Sequence, residues 1–174
     1  RIKTIMKKEK KSVYLSGRSY ALKILANSIY GYLGFFGARW YSKECAESIT
    51  AFARKHIIDL IEEAQKEKFH VVYSDTDSLY IALDDKNKND ALNFLKSVNK
   101  SLPELMELEL EGFFPRGIFV AKKSEKGGAK KKYALLDEDG NIIIKGFESI
   151  RRNSSLIAKE VQKKVFEIVL KEGS

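Results

Sequence analysis

Three features of this 174-residue chain predict an α+β fold, an antiparallel sheet backed by helices. The apolar runs Val71–Tyr73 and Leu79–Leu83 flank Asp75-Thr76-Asp77, which reads as strand, tight turn and strand. A second hairpin, Tyr133–Leu136 and Ile142–Ile144, brackets the turn residues Asp137–Asn141. Between and before these hairpins lie segments of helical period, 43–66 and 89–101, which alternate with the strands as covering helices.

Taken in order, Arg1–Lys11 reads as the end of a charged helix and Ser12–Gly17 as a connector. Arg18–Gly31 is helical in pattern. Leu22, Leu25, Ala26, Ile29 and Leu33 make one apolar stripe, expected to pack. Lys23, Asn27 and Tyr30 make a second stripe about 100° around the helix, which presents a cation, an amide and a phenol together. Gly31, Gly34 and Gly37 are expected to break this helix and to allow close backbone approach. The interleaved aromatics Tyr32, Phe35, Phe36, Trp40 and Tyr41 are expected to pack more than to contact DNA.

Ser42 is placed as the N-cap of a helix to Lys66, with Cys45, Ile49, Phe52, Ala53, Ile57, Leu60, Ile61 and Ala64 on its apolar side. His56 beside that stripe reads as structural. The first hairpin follows directly, and then the helix 89–101, stopped by Pro103. Met106–Glu111 alternates strictly and predicts a strand with Glu107, Glu109 and Glu111 on a solvated face. Ile118–Ala121 is a further strand, Lys122–Lys132 a Lys/Gly loop, and a last helix runs from a Ser154 or Ser155 cap to Lys171. Val161, Val165, Ile168 and Val169 are its expected apolar side.

The charge is localised. Of a net +8, the stretches Arg1–Lys11 and Lys122–Tyr133 carry +5 each, which leaves the rest close to −2. Clustered positive charge points to a polyanionic partner such as nucleic acid; a soluble Lys-rich surface is the plain alternative. The single cysteine, Cys45, excludes an internal disulfide or a Cys-based zinc site. The longest uncharged run, Ile24–Ala38, is too short and too rich in Gly, Asn and Ser to span a bilayer. An intracellular chain without membrane contact is expected. It begins at Arg1 rather than Met, as a fragment or one product of a split gene would.

Asp75 and Asp77 carry the chemistry. Two carboxylates two residues apart on apolar strands repel and are poorly solvated, a situation relieved by a hard cation such as Mg²⁺ or Mn²⁺. Taken alone, an ordinary Asp-rich turn explains them equally well. With the Lys23/Asn27/Tyr30 helix face and the Lys-rich approach to Tyr133, the set suits phosphoryl transfer on nucleic acid.

The motifs resemble those of family B DNA polymerases. Lys23-Ile24-Leu25-Ala26-Asn27-Ser28-Ile29-Tyr30-Gly31 is similar to their fingers motif Lys-x-x-x-Asn-Ser-x-Tyr-Gly, and Tyr73-Ser74-Asp75-Thr76-Asp77-Ser78 to their palm motif Tyr-x-Asp-Thr-Asp-Ser. Lys130-Lys131-Lys132-Tyr133 resembles their Lys-Lys-x-Tyr element, and Gly146-Phe147-Glu148 with Arg151-Arg152 the palm-to-thumb junction. All four stand in the family's order and span essentially the whole chain. Ala38-Arg39-Trp40-Tyr41 and Glu109-x-Glu111-Gly112-Phe113 look archaeal.

The resemblance implies an antiparallel palm sheet, with 1–37 as partial fingers, 38–148 as palm and 149–174 as the start of the thumb. It implies template-directed addition of dNTPs to a primer 3′-hydroxyl, with Asp77 as principal ligand and Asp75 adjacent, using two Mg²⁺ ions for which Mn²⁺ can substitute. Lys23, Asn27 and Tyr30 then face the incoming nucleotide. Gly31, Thr76, Lys130, Lys131, Tyr133, Arg151 and Arg152 face primer–template DNA, positioning it without reading its sequence. A sliding clamp is a further partner of such enzymes, and the cytoplasm, at the nucleoid, their place. The chain departs from the family at Ser19, where Gln is usual, and at Asn153, where Asp is usual. Its connector 12–17 is short, and 123–130 looks inserted. No Asp-Phe-x-Ser-Leu-Tyr-Pro-Ser segment occurs, and the family takes its other essential Asp from it. An N-terminal segment or subunit carrying that Asp is therefore an expected partner, and the chain alone is expected to be inactive. The rival reading is a non-catalytic, polymerase-like DNA-binding or scaffolding module; a family A polymerase or reverse transcriptase is disfavoured by the Lys-x-x-x-Asn-Ser-x-Tyr-Gly helix.

Overall fold

The structure, a computed structural model, describes residues 13–104, 106–121, 128–147 and 155–173, with residues 121 and 128–130 as backbone only. Arg151, Arg152, Glu148, Asn153, the Lys130 side chain and the segments 1–12 and 122–127 lie outside the described residues. The chain divides into two compact units, 1–58 and 59–174.

The first unit holds helix α1 (Val13–Leu33) and the first part of α2 (Lys43–Lys66). α1 starts at Val13, so most of the expected connector 12–17 is helical; nothing in 13–17 breaks a helix except Gly17, which an α-helix tolerates at about 1 kcal/mol. It also runs through Gly31 and ends only at Gly34. The expected packing of its apolar stripe is not found: no residue of α1 is buried, and Leu25 and Ile29 stay more than half exposed. The segment 34–42 between α1 and α2 is tightly turned by its own backbone, Phe35 N–H to Tyr32 C=O, Ala38 N–H to Phe35 C=O and Tyr41 N–H to Ala38 C=O. Its aromatics pair locally, Tyr32 edge-on to Trp40 and Phe35 against Phe36, yet Phe36 and Trp40 remain largely exposed. Ser42 caps α2 as expected, its Oγ accepting from Cys45 N–H at 3.2 Å. The exposed Cys45, Ile49 and Phe52 show that the front half of the expected stripe is uncovered.

In the second unit, α2 buries Leu60 and Ala64 and closes in a Schellman turn. Lys68 takes the left-handed conformation, Lys68 N–H reaches Gln65 C=O, and Phe69 N–H reaches Ala64 C=O. The buried Phe69 stacks on Phe94, and the chain turns straight into β1 (His70–Asp75), which pairs antiparallel with β2 (Ser78–Ala82). Helix α3 (Lys88–Ser101) opens on a reciprocal cap, Asp90 N–H to Asn87 Oδ1 and Asn87 N–H to Asp90 Oδ2.

Residues 106–111 form no strand, although their alternation suggested one. The Asn99 amide plays the missing neighbour: it donates to Leu108 C=O at 3.0 Å and accepts from Leu108 N–H at 2.8 Å. A side chain thus supplies the two bonds that a strand partner would make, and no ladder extends from it.

Strands β3 (Arg116–Ala121), β4 (Gly128–Leu136) and β5 (Ile142–Lys145) form an antiparallel sheet in that order. The expected loop 122–132 therefore ends by Gly128, where β4 begins. One face of this sheet carries Ile118, Val120, Ala134, Leu136, Ile142 and Ile144 against the helix α4 (Leu156–Glu167) and its continuing π-turn Ile168–Glu172. Ser155 caps α4, Oγ accepting from Ala158 N–H. The buried residues are Phe166 of α4 and Leu170 of the π-turn, with Phe147 edge-on to Phe166 at 4.7 Å; Val161, Val165, Ile168 and Val169 are exposed instead. Burying a Phe or Leu of this kind stabilises by about 1.5–3 kcal/mol. Arg116 Nη1 fixes the end of the π-turn by donating to Leu170 C=O and Lys171 C=O, each at 3.3 Å. The opposite face of the sheet presents Phe119 and Tyr133.

Candidate active site

The two-residue turn between β1 and β2 holds the paired carboxylates. Asp75 pairs with Ser78 across it, which leaves Thr76 and Asp77 at the tip. Thr76 sits at φ 55, a left-handed conformation that a β-branched residue seldom adopts, and Asp77 N–H closes on Asp75 C=O at 2.6 Å. Strain of this kind is worth about 1–3 kcal/mol and persists only where the surroundings impose it. Local bonds do so here: Thr76 Oγ1 donates to Asp75 Oδ1 at 3.0 Å, and Ser78 Oγ donates to Asp75 C=O at 3.1 Å. Asp77 is exposed and Asp75 half-buried.

The turn is anchored by aromatic rings. Tyr73 and Tyr80 are cross-strand partners immediately behind it, and both reach Phe119 and Tyr133 on the far sheet. All six centroid distances among these four rings fall between 5.3 and 6.0 Å. Tilted pairs at such spacing add about 0.5–1.5 kcal/mol each beyond the area they bury. The hydroxyls add polar links. Tyr73 Oη accepts from Lys131 N–H at 2.7 Å, and Tyr80 Oη donates to Tyr133 Oη at 3.1 Å, with Glu111 Oε2 at 3.5 Å. Burial first, and then Tyr133 and Glu111, push the Tyr80 phenol well above its ordinary pKa, so it stays protonated.

Lys131 is itself held in an uncommon conformation, φ 63. Gly146, at φ 70, lies so close that a Cβ there would fall 1.8 Å from the Lys131 carbonyl oxygen. Glycine is required at that contact for both reasons.

Of the residues singled out in the sequence, the structure thus joins Asp75, Thr76 and Asp77 in one turn, and ties that turn to the strand of Lys131 and Tyr133. Lys23, Asn27, Tyr30 and Gly31 belong to the first unit. The side chains of Lys23, Asn27 and Tyr30 are exposed on α1, and the space over Gly31 is open, with nothing within 4 Å of an added Cβ. Among the described residues no group of three or more His, Cys, Asp or Glu could hold a metal ion, and no helix is long and apolar enough to cross a membrane. Two carboxylates with a hydroxyl between them are hard oxygen donors of the right class for Mg²⁺ or Mn²⁺, the other positions of an octahedral ion being left to water, phosphate or a further carboxylate. Sequence reasoning missed Tyr80 and Glu111 as parts of this assembly, and read Tyr73 only as a motif letter. The signal available was that Tyr73 and Tyr80 stand symmetrically about the turn.

The family model for DNA polymerase family B matches residues 1–174, the entire chain. The chain belongs to DNA polymerase family B. Among its relatives, "DNA polymerase 1" of Pyrococcus abyssi is 48% identical over 181 aligned residues, covering 100% of this chain and 22% of that protein. The DNA polymerase of Pyrococcus glycovorans is 49% identical over 166 residues, 92% of this chain and 20% of its own length. The solved structure of the family B DNA polymerase from the hyperthermophilic archaeon Pyrobaculum calidifontis superposes with a TM-score of 0.70 at 37% identity, over 99% of this chain and 21% of that one. The chain spans about a fifth of the length of these proteins.

Proposed function

We propose that this chain is the palm-bearing part of a template-directed DNA polymerase, which adds dNTPs to a primer 3′-hydroxyl. One observation carries the reading: the Asp75–Asp77 turn is docked by Tyr73 and Tyr80 onto the strand that bears Lys131 and Tyr133, so metal-binding and primer-holding groups form one body. In this reading 1–37 is partial fingers, 38–148 palm and 149–174 the start of the thumb.

Asp77, exposed at the tip, is the principal metal ligand and Asp75 the supporting one, and a further carboxylate comes from a segment outside these 174 residues. Bound there, two Mg²⁺ ions, or Mn²⁺ in their place, supply Lewis-acid activation of the 3′-hydroxyl and charge neutralisation at the triphosphate. Thr76 faces the DNA at the turn. Lys131 and Tyr133 hold the primer strand, with Lys130, Arg151 and Arg152 on backbone phosphates. Lys23 meets the triphosphate as a point charge, Asn27 positions beside it, Tyr30 packs under the nascent base pair, and Gly31 leaves room for the template. Primer–template DNA, dNTPs, the segment with the other Asp and a sliding clamp are the partners, and the nucleoid in the cytoplasm the place of action.

The test is a graft in which this chain replaces the matching segment of the Pyrococcus abyssi relative. The graft is expected to extend a primer with Mg²⁺ and four dNTPs, the chain alone is not, and Asp77→Asn is expected to abolish extension while primer–template binding persists. Synthesis retained by Asp77→Asn would overturn the assignment. DNA binding with no synthesis by the unsubstituted graft would favour the non-catalytic module.

A further inference from the structure

We propose that Tyr80 is a positioning residue: its hydroxyl holds that of Tyr133 so that the Tyr133 proton is directed outward, toward the primer strand. The proposal rests on the reading of Tyr133 as a primer contact.

Tyr80 lies on β2, three residues beyond Asp77, and its ring is enclosed by Tyr73, Phe119 and Tyr133. A phenol has one proton and two acceptor sites. Tyr80 donates to Tyr133 at 3.1 Å and thereby occupies one lone pair of the Tyr133 oxygen. The Tyr133 proton cannot lie on the same axis, so it points away from Tyr80 and is available to an acceptor. Backbone phosphate oxygens are acceptors only, so a hydroxyl presented in this way suits a nucleic-acid backbone. Glu111 Oε2 is a carboxylate and the stronger acceptor by nature, but at 3.5 Å it lies at the limit of a hydrogen bond, so it competes for the same proton from longer range. Because Tyr80 and Asp77 share one hairpin, the arrangement makes the grip on the primer depend on the strand that carries the metal ligand.

The experiment uses the graft, with steady-state primer extension at varied primer–template and, separately, varied dNTP. Tyr80→Phe keeps the ring and removes the proton. It is expected to raise the KM for primer–template by about three- to tenfold, with kcat at saturating primer and the KM for dNTP each changed by less than about twofold. Tyr133→Phe is expected to do the same, and the double variant no more than either single one, because both remove one bond. Additive effects, or an equal loss in both KM values, would overturn the proposal in favour of a merely structural role. Should Tyr80→Phe lower the melting temperature of the graft, Glu111→Gln examines the same proton without touching the rings. Removing the competing anion is expected to leave the primer KM unchanged or lower it, and a rise would overturn the proposal. An effect of neither Tyr80→Phe nor Tyr133→Phe would remove Tyr133 as a primer contact and this proposal with it. If Asp77→Asn still abolishes synthesis in that case, the polymerase reading itself stands.

Discussion

The Tyr73 hydroxyl accepts the Lys131 backbone N–H at 2.7 Å, and this bond ties the strand of Asp75 to a left-handed residue of β4. Tyr73→Phe keeps the aromatic cluster and removes the bond. Since Lys131 N–H remains close to solvent, the loss is expected to be about 1 kcal/mol, as for an ordinary hydrogen bond. Urea unfolding of the graft and its variant checks this, through a lower midpoint at unchanged slope. An unchanged midpoint would mean that the bond contributes nothing net.

Gly146 and Gly31 should respond oppositely to alanine. At Gly146 a methyl group meets the Lys131 carbonyl at 1.8 Å and the backbone stands at φ 70, so Gly146→Ala is expected to destabilise by about 3 kcal/mol or more, or to prevent folding. At Gly31, within a helix and with open space around it, Gly31→Ala is expected to stabilise by about 0.5–1 kcal/mol. If the template approaches the backbone there, the stabilised variant should nonetheless synthesise more slowly. Thermal melting read beside primer extension separates the two effects, and unimpaired synthesis would remove Gly31 from the DNA surface.

The β4–β5 turn carries a pH dependence of known sign. Asp137 accepts from the Asn141 side chain at 3.1 Å and from Asn141 N–H at 2.7 Å, and these bonds, the side-chain bond first, hold its carboxyl below the ordinary carboxylate range. A group depressed in the folded state adds stability above its unfolded pKa, near 4, and that stability is lost as pH falls through the lower folded value. Asn141→Ala should therefore return the Asp137 titration toward the ordinary value, followed by carboxyl NMR shifts. The absence of an upward move would show that the turn bonds do not set it.

Metal binding by the turn should be measurable apart from catalysis. With two carboxylates and no third acidic neighbour among the described residues, the chain by itself should bind Mn²⁺ only weakly, on the order of millimolar. Paramagnetic broadening strongest at the amides of Asp75–Ser78, and lost in Asp77→Asn, is the expected signature. Broadening that survives in Asp77→Asn would place the ion elsewhere.

Much of this was legible in the residues. The helix Lys43–Lys66 and its Ser42 cap, both hairpins and the Asp75–Asp77 turn follow from local patterns, and local bonds maintain them. Features that depend on distant partners were not legible. Alternation in 106–111 suggested an inward and a solvent side, yet Met106 and Leu110 stand exposed along with the Glu residues, and the neighbour of the segment's backbone at Leu108 is the Asn99 amide. α4 has two apolar faces, and the π-turn after Glu167 shifts the helical phase, so spacing alone could not tell that Phe166 and Leu170 would win over Val161 and Val165. The uncovered stripe of α1 reads as buried in sequence and lies open in this chain. The candidate site divides in the same way: Asp75, Asp77, Lys131 and Tyr133 are motif residues, whereas Tyr80 and Glu111 acquire meaning only when hairpin and sheet meet.

The cluster behind the acidic turn has a temporal consequence. Tyr73 and Lys131 are 58 residues apart, and Tyr80 and Tyr133 are 53 apart. Hairpin β1–β2 can zip within microseconds of emerging, while its support waits for the rest of the unit to be synthesised and for a long loop to close. Until β4 arrives, the strained Thr76 has only its own short-range bonds to hold it. The acidic turn therefore gains its aromatic support late in folding, and substitutions within the four rings should slow maturation of the site more than they slow collapse of the chain.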